Sequence, residues 1–220
     1  MKWLFSNKEK SYPEYWTTYE SLFTTAKQED IHTSTYVVLD TETTGFNYDK
    51  DRILCIGAVK IIDGVIDVST AFEIYLKQDY FDKNTVKIHG ILKNDKFETL
   101  SEEDAIILFL EYIKDSILVA HHAFFDINMI NMALSRLELP KLKNKVLDTM
   151  LIFRATRIKS NLLDPNKKYS LDEVAEFYDI DLSDRHTASG DALITAIAFI
   201  RSIHFLIKTK AYTLKDLLKL

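Results

Sequence analysis

The stretch YVVLDTETTG, Tyr36 to Gly45, constrains this chain more than any other. Its first residues read as an apolar, β-branched strand, yet that strand runs into two carboxylates, Asp40 and Glu42, separated by one residue. Side chains alternate across a strand, so both acids project from the same side, close enough to repel each other when ionised. Two readings satisfy this arrangement. Either the acids share a divalent cation, or the strand ends in a solvated acidic turn. The segment alone does not separate the two.

The rest of the chain narrows the setting. A length of 220 residues suits one domain with some extra structure, and a hydrophobic fraction of 47% is ample for its core. The one cysteine, Cys55, cannot form an internal disulfide and lies in the apolar run ILCIGAVKII, where a buried thiol is expected; this fits a reducing compartment. The start, MKWLFSNKEK, lacks the apolar core of a secretory signal, and the late segment ALITAIAFI, Ala192 to Ile200, is too short to span a bilayer. A cytoplasmic protein with no membrane partner is expected. The net charge of −5 argues against gripping nucleic acid through a large basic surface, though not against holding a short piece through metal ions.

Residues 1–34 differ in pattern from the remainder of the chain and read as an N-terminal helical extension to a main domain at 35–220. Tyr12, Tyr15, Trp16, Tyr19 and Phe23 recur at helical spacing after a start signal at Pro13. Their aromatic stripe is expected to pack on the domain's own core, with a partner-docking helix as the functional alternative. From Thr35 the period changes to that of strands: TYVVLDTE, RILCIGAVKII and VIDVSTAFEIYLK form an antiparallel meander, with Asp63-Gly64 as a hairpin signal. SEEDAIILFLEYIKD opens a helix with Ser101 and Asp104 in capping positions, SILVAH is a short buried strand, and a helix covers about Phe125 to Leu137. KVLDT is a fifth strand leading into a helix, Ser170 and Glu173 cap another, and a long apolar helix begins near Ser189. The order implies an α/β fold, with a mixed five-stranded sheet covered by helices.

Acidic residues recur where strands meet turns or helices. Asp40 and Glu42 end the first strand, Asp126 follows LVAHHAFF, and Asp191 lies in DRHTASGDALITA at the start of the last long helix. Strand ends are where sites form in open α/β sheets, so these segments can converge. Four carboxylates in one dry cleft require cations, and an all-oxygen donor set is what Mg²⁺ or Mn²⁺ favours. Removing the four takes the net charge from −5 to −1, so the acidic surplus is largely this cluster.

These segments carry a resemblance. DTETTG, LVAHHAFFD and HTASGD, in that order, resemble the three motifs of the DnaQ-like 3′→5′ exonuclease family, in the branch named for four acidic residues and a histidine. KIHGI, with His89 and Gly90, resembles a further family signature, VLDTM and YSLDEVA echo the family, and the similarity runs from about Tyr36 to about Ser202.

The resemblance implies a ribonuclease H-like fold and phosphodiester hydrolysis with two divalent cations, Mg²⁺ or Mn²⁺. It also implies roles: Asp40 bridging both ions, Glu42 and Asp191 helping to hold the one that activates water, Asp126 supporting the second, and His186 as general base. Thr43, Thr44 and Gly45 are expected to approach the terminal nucleotide through their backbone, and Phe46 to contact the last base, with a turn glycine and a core phenylalanine as the alternatives. Phe124 and Phe125 are expected in the core. His89 and His121 fall among the substrate-binding positions, and His122 departs from the family's usual asparagine, a variant at a substrate-contacting position rather than a metal ligand.

The expected partner is a nucleic acid with a 3′ end, DNA first and RNA as the alternative, handled a few nucleotides at a time or through a tethering protein such as a polymerase. A nuclease-like module that has lost catalysis is the reading from another class; all five motif residues are present, which argues against it. Arg154, Arg157, Lys159, Lys167 and Lys168 could steer phosphates, a solvated helix face being the other reading.

Overall fold

The computed structural model describes residues 11–25, 30–78, 98–157, 164 and 166–220. Its elements are α1 (Glu14–Ser21), β1 (Tyr36–Thr43), β2 (Ile53–Ile62), β3 (Val65–Leu76), β4 (Thr99–Leu100), α2 (Glu102–Ile113), β5 (Ile117–Ala120), α3 (Phe124–Arg136), β6 (Val146–Asp148), α4 (Thr149–Thr156), α5 (Leu171–Tyr178), α6 (Ala188–Lys210) and α7 (Leu214–Leu217).

Asp63 and Gly64 both take positive φ, 50° and 75°, which turns β2 into β3 through two residues and fixes the meander's register. The sheet order is β4-β3-β2-β1-β5-β6. β2 runs antiparallel to both β1 and β3, while β5 runs parallel to β1, and β6 to β5. Among the described residues the sheet therefore has six strands where the sequence suggests five. The sixth, β4, is a two-residue rung pairing Tyr75 with Thr99 and Leu76 with Leu100, too short to leave a period in the sequence.

Alternation along β1 divides the core in two. Val37 and Leu39 face one way, toward Phe109 of α2 and Met129 and Ile130 of α3; Tyr36 and Val38 face the other, toward Ala196 and Phe199 of α6. Helices thus cover both faces, and the loops after the parallel strands β1 and β5, both interior to the sheet, open at its C-terminal edge, where those strands end. α6 is 23 residues long and apolar enough to cross a membrane by length and composition, yet 61% of its most apolar window is buried inside the protein, as befits a core helix.

The N-terminal aromatic stripe packs on the first layer. Trp16 and Tyr19 are buried there, with Tyr12, Tyr15 and Phe23 against them, and the Tyr19 hydroxyl donates to Asn144 Oδ1 at 2.7 Å. Ser170 and Glu173 form the expected reciprocal cap of α5, and Ser101 Oγ accepts from the Asp104 amide.

Candidate active site

Asp40 and Glu42 stand on the same side of β1, half-buried, while Thr41 and Thr43 between and beyond them are buried on the other. The side of the acids is the α6 side. There Asp191, in the first turn of α6, brings its carboxylate to them: Asp40, Glu42 and Asp191 each offer an oxygen within 4.8 Å of the others. Such an approach requires the α6 N-terminus to lie almost against the sheet. Gly57, paired with Asp40 in the β1–β2 ladder, permits it; a Cβ there would come within 2.2 Å of the Ala188 carbonyl carbon and the Ser189 nitrogen. Glycine's lack of a side chain is thus used for close packing, a role at which a glycine inside the apolar strand ILCIGAVKII hints.

Asp126 reaches the edge from the opposite layer and is outside that close trio. It is buried, and its Oδ1 accepts from the Thr41 amide at 3.0 Å and the Thr41 hydroxyl at 2.7 Å. The residue between the two strand acids therefore anchors the third acid. The loop leading to Asp126 is held by Asp148 at the end of β6: Oδ1 accepts from the His122 and Met150 amides at 3.1 and 2.9 Å, and Oδ2 from the Ala123 amide at 3.1 Å. His122 has φ 59°, in the left-handed region that Asn, Asp and His enter most readily among residues with a side chain. This accounts for histidine being accommodated where the resemblance leads to an expectation of asparagine.

The electrostatics are those of a crowded acidic cleft. Burial, followed by the charges of Asp126, Asp191 and Glu42, raises Asp40 well above the usual carboxylate range. Burial and then the charge of Asp191 raise Glu42 to about 7. Burial likewise raises Asp126, against the pull of the Thr41 hydrogen bonds, and Asp191, against the pull of Arg185. Arg185, half-buried, pairs with Asp191 through Nη1 and with Asp172 through Nε at 2.6 Å. Among the described residues the positive charge paired with these acids is one guanidinium, too little for four carboxylates, and an all-carboxylate cluster fits a hard divalent cation.

His186 lies exposed on the loop before α6, with φ 67°, and its amide donates to Asp191 Oδ1 at 3.4 Å. The other histidine of the motifs is differently placed. His121 Nδ1 is 2.9 Å from the Thr149 hydroxyl and Nε2 is 2.9 Å from the Tyr169 carbonyl, so both ring nitrogens are engaged within the protein. A carbonyl can only accept, which assigns the proton to Nε2, and burial followed by the neighbouring His122 lowers this ring to about 4, keeping it neutral.

Around the rim, the side chains of Thr43 and Thr44 serve their own loop: Thr43 Oγ1 donates to the Gly45 carbonyl at 2.8 Å, and Thr44 Oγ1 donates to Asp51 at 2.9 Å. A Cβ on Gly45 would meet the Asp51 carboxylate at 2.5 Å. Phe46 is 74% exposed, and so is Phe124, which corrects the expectation that Phe124 lies in the core: its position at the start of α3 turns it outward while Phe125 stays half-buried. His89 lies outside the described residues, as does Lys159. Lys167 pairs with Glu173, and the Arg157 guanidinium lies over the rings of Phe153 and Phe177.

A mixed sheet covered on both faces, with acids gathered at the edge where its parallel strands end, defines the ribonuclease H-like class. Residues 37–199 match the exonuclease family of the RNase T type. Over 172 residues the chain is 36% identical to the DNA polymerase III subunit epsilon of Buchnera aphidicola, covering 73% of this chain and 67% of that protein. Over 169 residues it is 37% identical to the PolC-type DNA polymerase III of Caldanaerobacter subterraneus, covering 76% of this chain but only 11% of that much longer protein. Among solved structures, Exonuclease X in complex with 5′ overhanging duplex DNA shares the fold at a TM-score of 0.62 and 24% identity, covering 84% of this chain and 98% of that one. E. coli Exonuclease I in complex with a dT13 oligonucleotide does so at 0.65 and 18%, covering 81% and 42%. The chain belongs to the exonuclease family, in its DnaQ-like group.

Proposed function

We propose that this chain hydrolyses phosphodiester bonds from the 3′ ends of DNA, single-stranded or frayed, releasing nucleoside monophosphates. The observation that carries the reading is the convergence of Asp40, Glu42 and Asp191 within 4.8 Å, on segments that also bring Asp126 and His186 to the same edge.

Asp40, Glu42 and Asp191 would hold divalent cations, with Asp126 completing the set. Mg²⁺ or Mn²⁺ bound there supplies positive charge for the reacting phosphate and for the leaving oxygen, and acidifies water. The chain's own groups do the rest. His186, exposed beside Asp191 and free of the buried constraints that hold His121, accepts the proton of the attacking water. Phe46 offers a ring to the terminal base, a contact that tolerates any sequence. The loop Thr43 to Gly45, tied by hydrogen bonds from Thr43 to Gly45 and from Thr44 to Asp51, presents backbone to the last nucleotide.

The name of the epsilon relative supports a place beside a replicative polymerase, in proofreading or repair in the cytoplasm. The test is shortening of a 3′-labelled oligonucleotide by the purified chain, on matched DNA and RNA, with Mg²⁺ and with chelator. Shortening of DNA that stops in chelator, and that Asp40→Ala or His186→Ala abolishes without loss of fold, is expected. Activity retained in either variant removes that residue from the mechanism, and preference for RNA reassigns the substrate.

A further inference from the structure

Phe46 and Phe124 are the two most exposed large hydrophobic side chains among the described residues, each at 74%. Both stand on segments that carry the acids: Phe46 is four residues beyond Glu42, and Phe124 is two before Asp126. The loops that hold them follow the parallel strands β1 and β5, so both rings lie at the edge of the sheet where the carboxylates gather. They are connected through two further rings. Phe46 lies 5.7 Å from Phe125, Phe125 lies 5.8 Å from Tyr48, and Tyr48 meets Phe124 edge-on at 6.3 Å. The inner rings, Phe125 and Tyr48, are half-buried and hold the outer two in place.

Two free aromatic faces on a preorganised base, beside a site proposed to take a nucleic-acid end, suit unpaired bases. Beside Phe46 and Tyr48 lies a hollow of about 440 Å³, lined also by Asn47, Asp49, Asn128 and Met132, and Phe124 lines a neighbouring hollow of about 410 Å³ that shares Asn128 and includes Ile127, Leu151 and Leu217. Polar groups are interleaved with the rings in the hollow beside Phe46, and among the described residues no basic side chain lines either hollow. Such a lining offers little to a phosphate and much to a base. Asn128 Nδ2 donates to the Phe124 carbonyl at 2.6 Å, securing the turn that presents the ring.

We infer that Phe124, braced by Tyr48, is a second stacking position that takes a base upstream of the one at Phe46, so that the enzyme selects ends with at least two unpaired nucleotides. The inference builds on the proposed exonuclease activity. A paired base has its faces covered by its neighbours in the duplex and cannot spread onto two separate rings, whereas a frayed strand can.

The test uses the full chain with Mg²⁺ and single-stranded oligodeoxynucleotides, either intact or carrying one abasic residue at the second, third or fourth position from the 3′ end. For the wild type, an abasic residue at the contacted position is expected to raise KM by about 5- to 100-fold, the worth of one stacked base. Phe124→Ala is expected to raise KM comparably on intact strands and to be insensitive to the same abasic residue, while Phe124→Trp restores the base dependence. The exposed position makes both substitutions compatible with folding, which circular dichroism checks. A wild type indifferent to upstream abasic residues overturns the inference and leaves the exonuclease reading standing; so does a Phe124→Ala chain that matches it on intact strands and instead loses binding to a protein. A wild type that shortens no nucleic acid at all overturns both.

Discussion

Gly57 lies directly across the β1–β2 ladder from Asp40, and the space where its side chain would stand is filled by the Ala188–Ser189 peptide at the start of α6. One pairing thus couples the strand that carries two of the acids to the helix that carries a third. Gly57→Ala places a methyl group against backbone atoms, which cannot rotate away. A loss of about 1–3 kcal/mol of stability is expected from such overpacking, with a proportionally greater loss of hydrolysis because Asp191 shifts relative to Asp40 and Glu42. Thermal melts alongside kcat measure both; an unchanged kcat in a folded variant contradicts the coupling.

Asp148 plays the corresponding part on the other side of the sheet. Its carboxylate gathers three amides, two of them in the loop that leads to Asp126. Asp148→Ala leaves them unpaired, and a cost of about 1–3 kcal/mol, with reduced hydrolysis, is expected. Asp148→Asn keeps one acceptor oxygen and should fall between the two. Denaturant titration of the three proteins gives the order.

The raised carboxylates make stability depend on pH. Glu42 in the unfolded chain titrates near 4.3, whereas burial and the charge of Asp191 raise it to about 7 in the folded chain. Between those values the unfolded state has released its proton and the folded state has kept it. Metal-free protein should therefore lose stability as pH rises from about 4.5 to about 7, with Asp40 and Asp126 adding in the same direction. Divalent cations should restore it, and more at pH 8 than at pH 5. Melting temperatures in chelator and in Mg²⁺ across this range test the claim; a metal-free profile that is flat or rising contradicts it.

Every strand but the two-residue β4, the helix caps and the common side of Asp40 and Glu42 were legible in the sequence, because each follows from local periodicity or from a capping residue. Other features depend on contacts between distant segments. That Thr41 anchors Asp126, that Gly57 makes room for α6 and that Asp148 ties down the loop before α3 arise only when the sheet brings those segments together. Two sequence features could have hinted at them: a glycine inside an otherwise β-branched strand often marks close backbone approach, and an acid ahead of a helix marks a cap. The outward turn of Phe124 escaped because an aromatic pair reads as core from hydrophobicity, and only the helix start fixes which of the two rings is buried.

The acids at the sheet edge are held together at a cost in repulsion that divalent cations would remove, and this is most directly tested by diffraction at the manganese absorption edge from crystals soaked in Mn²⁺. Anomalous density in contact with the carboxylates of Asp40, Glu42 and Asp191, absent from Asp40→Asn crystals, is the expected result. Crystals that take up Mn²⁺ only elsewhere, with nothing between those three side chains, would contradict it.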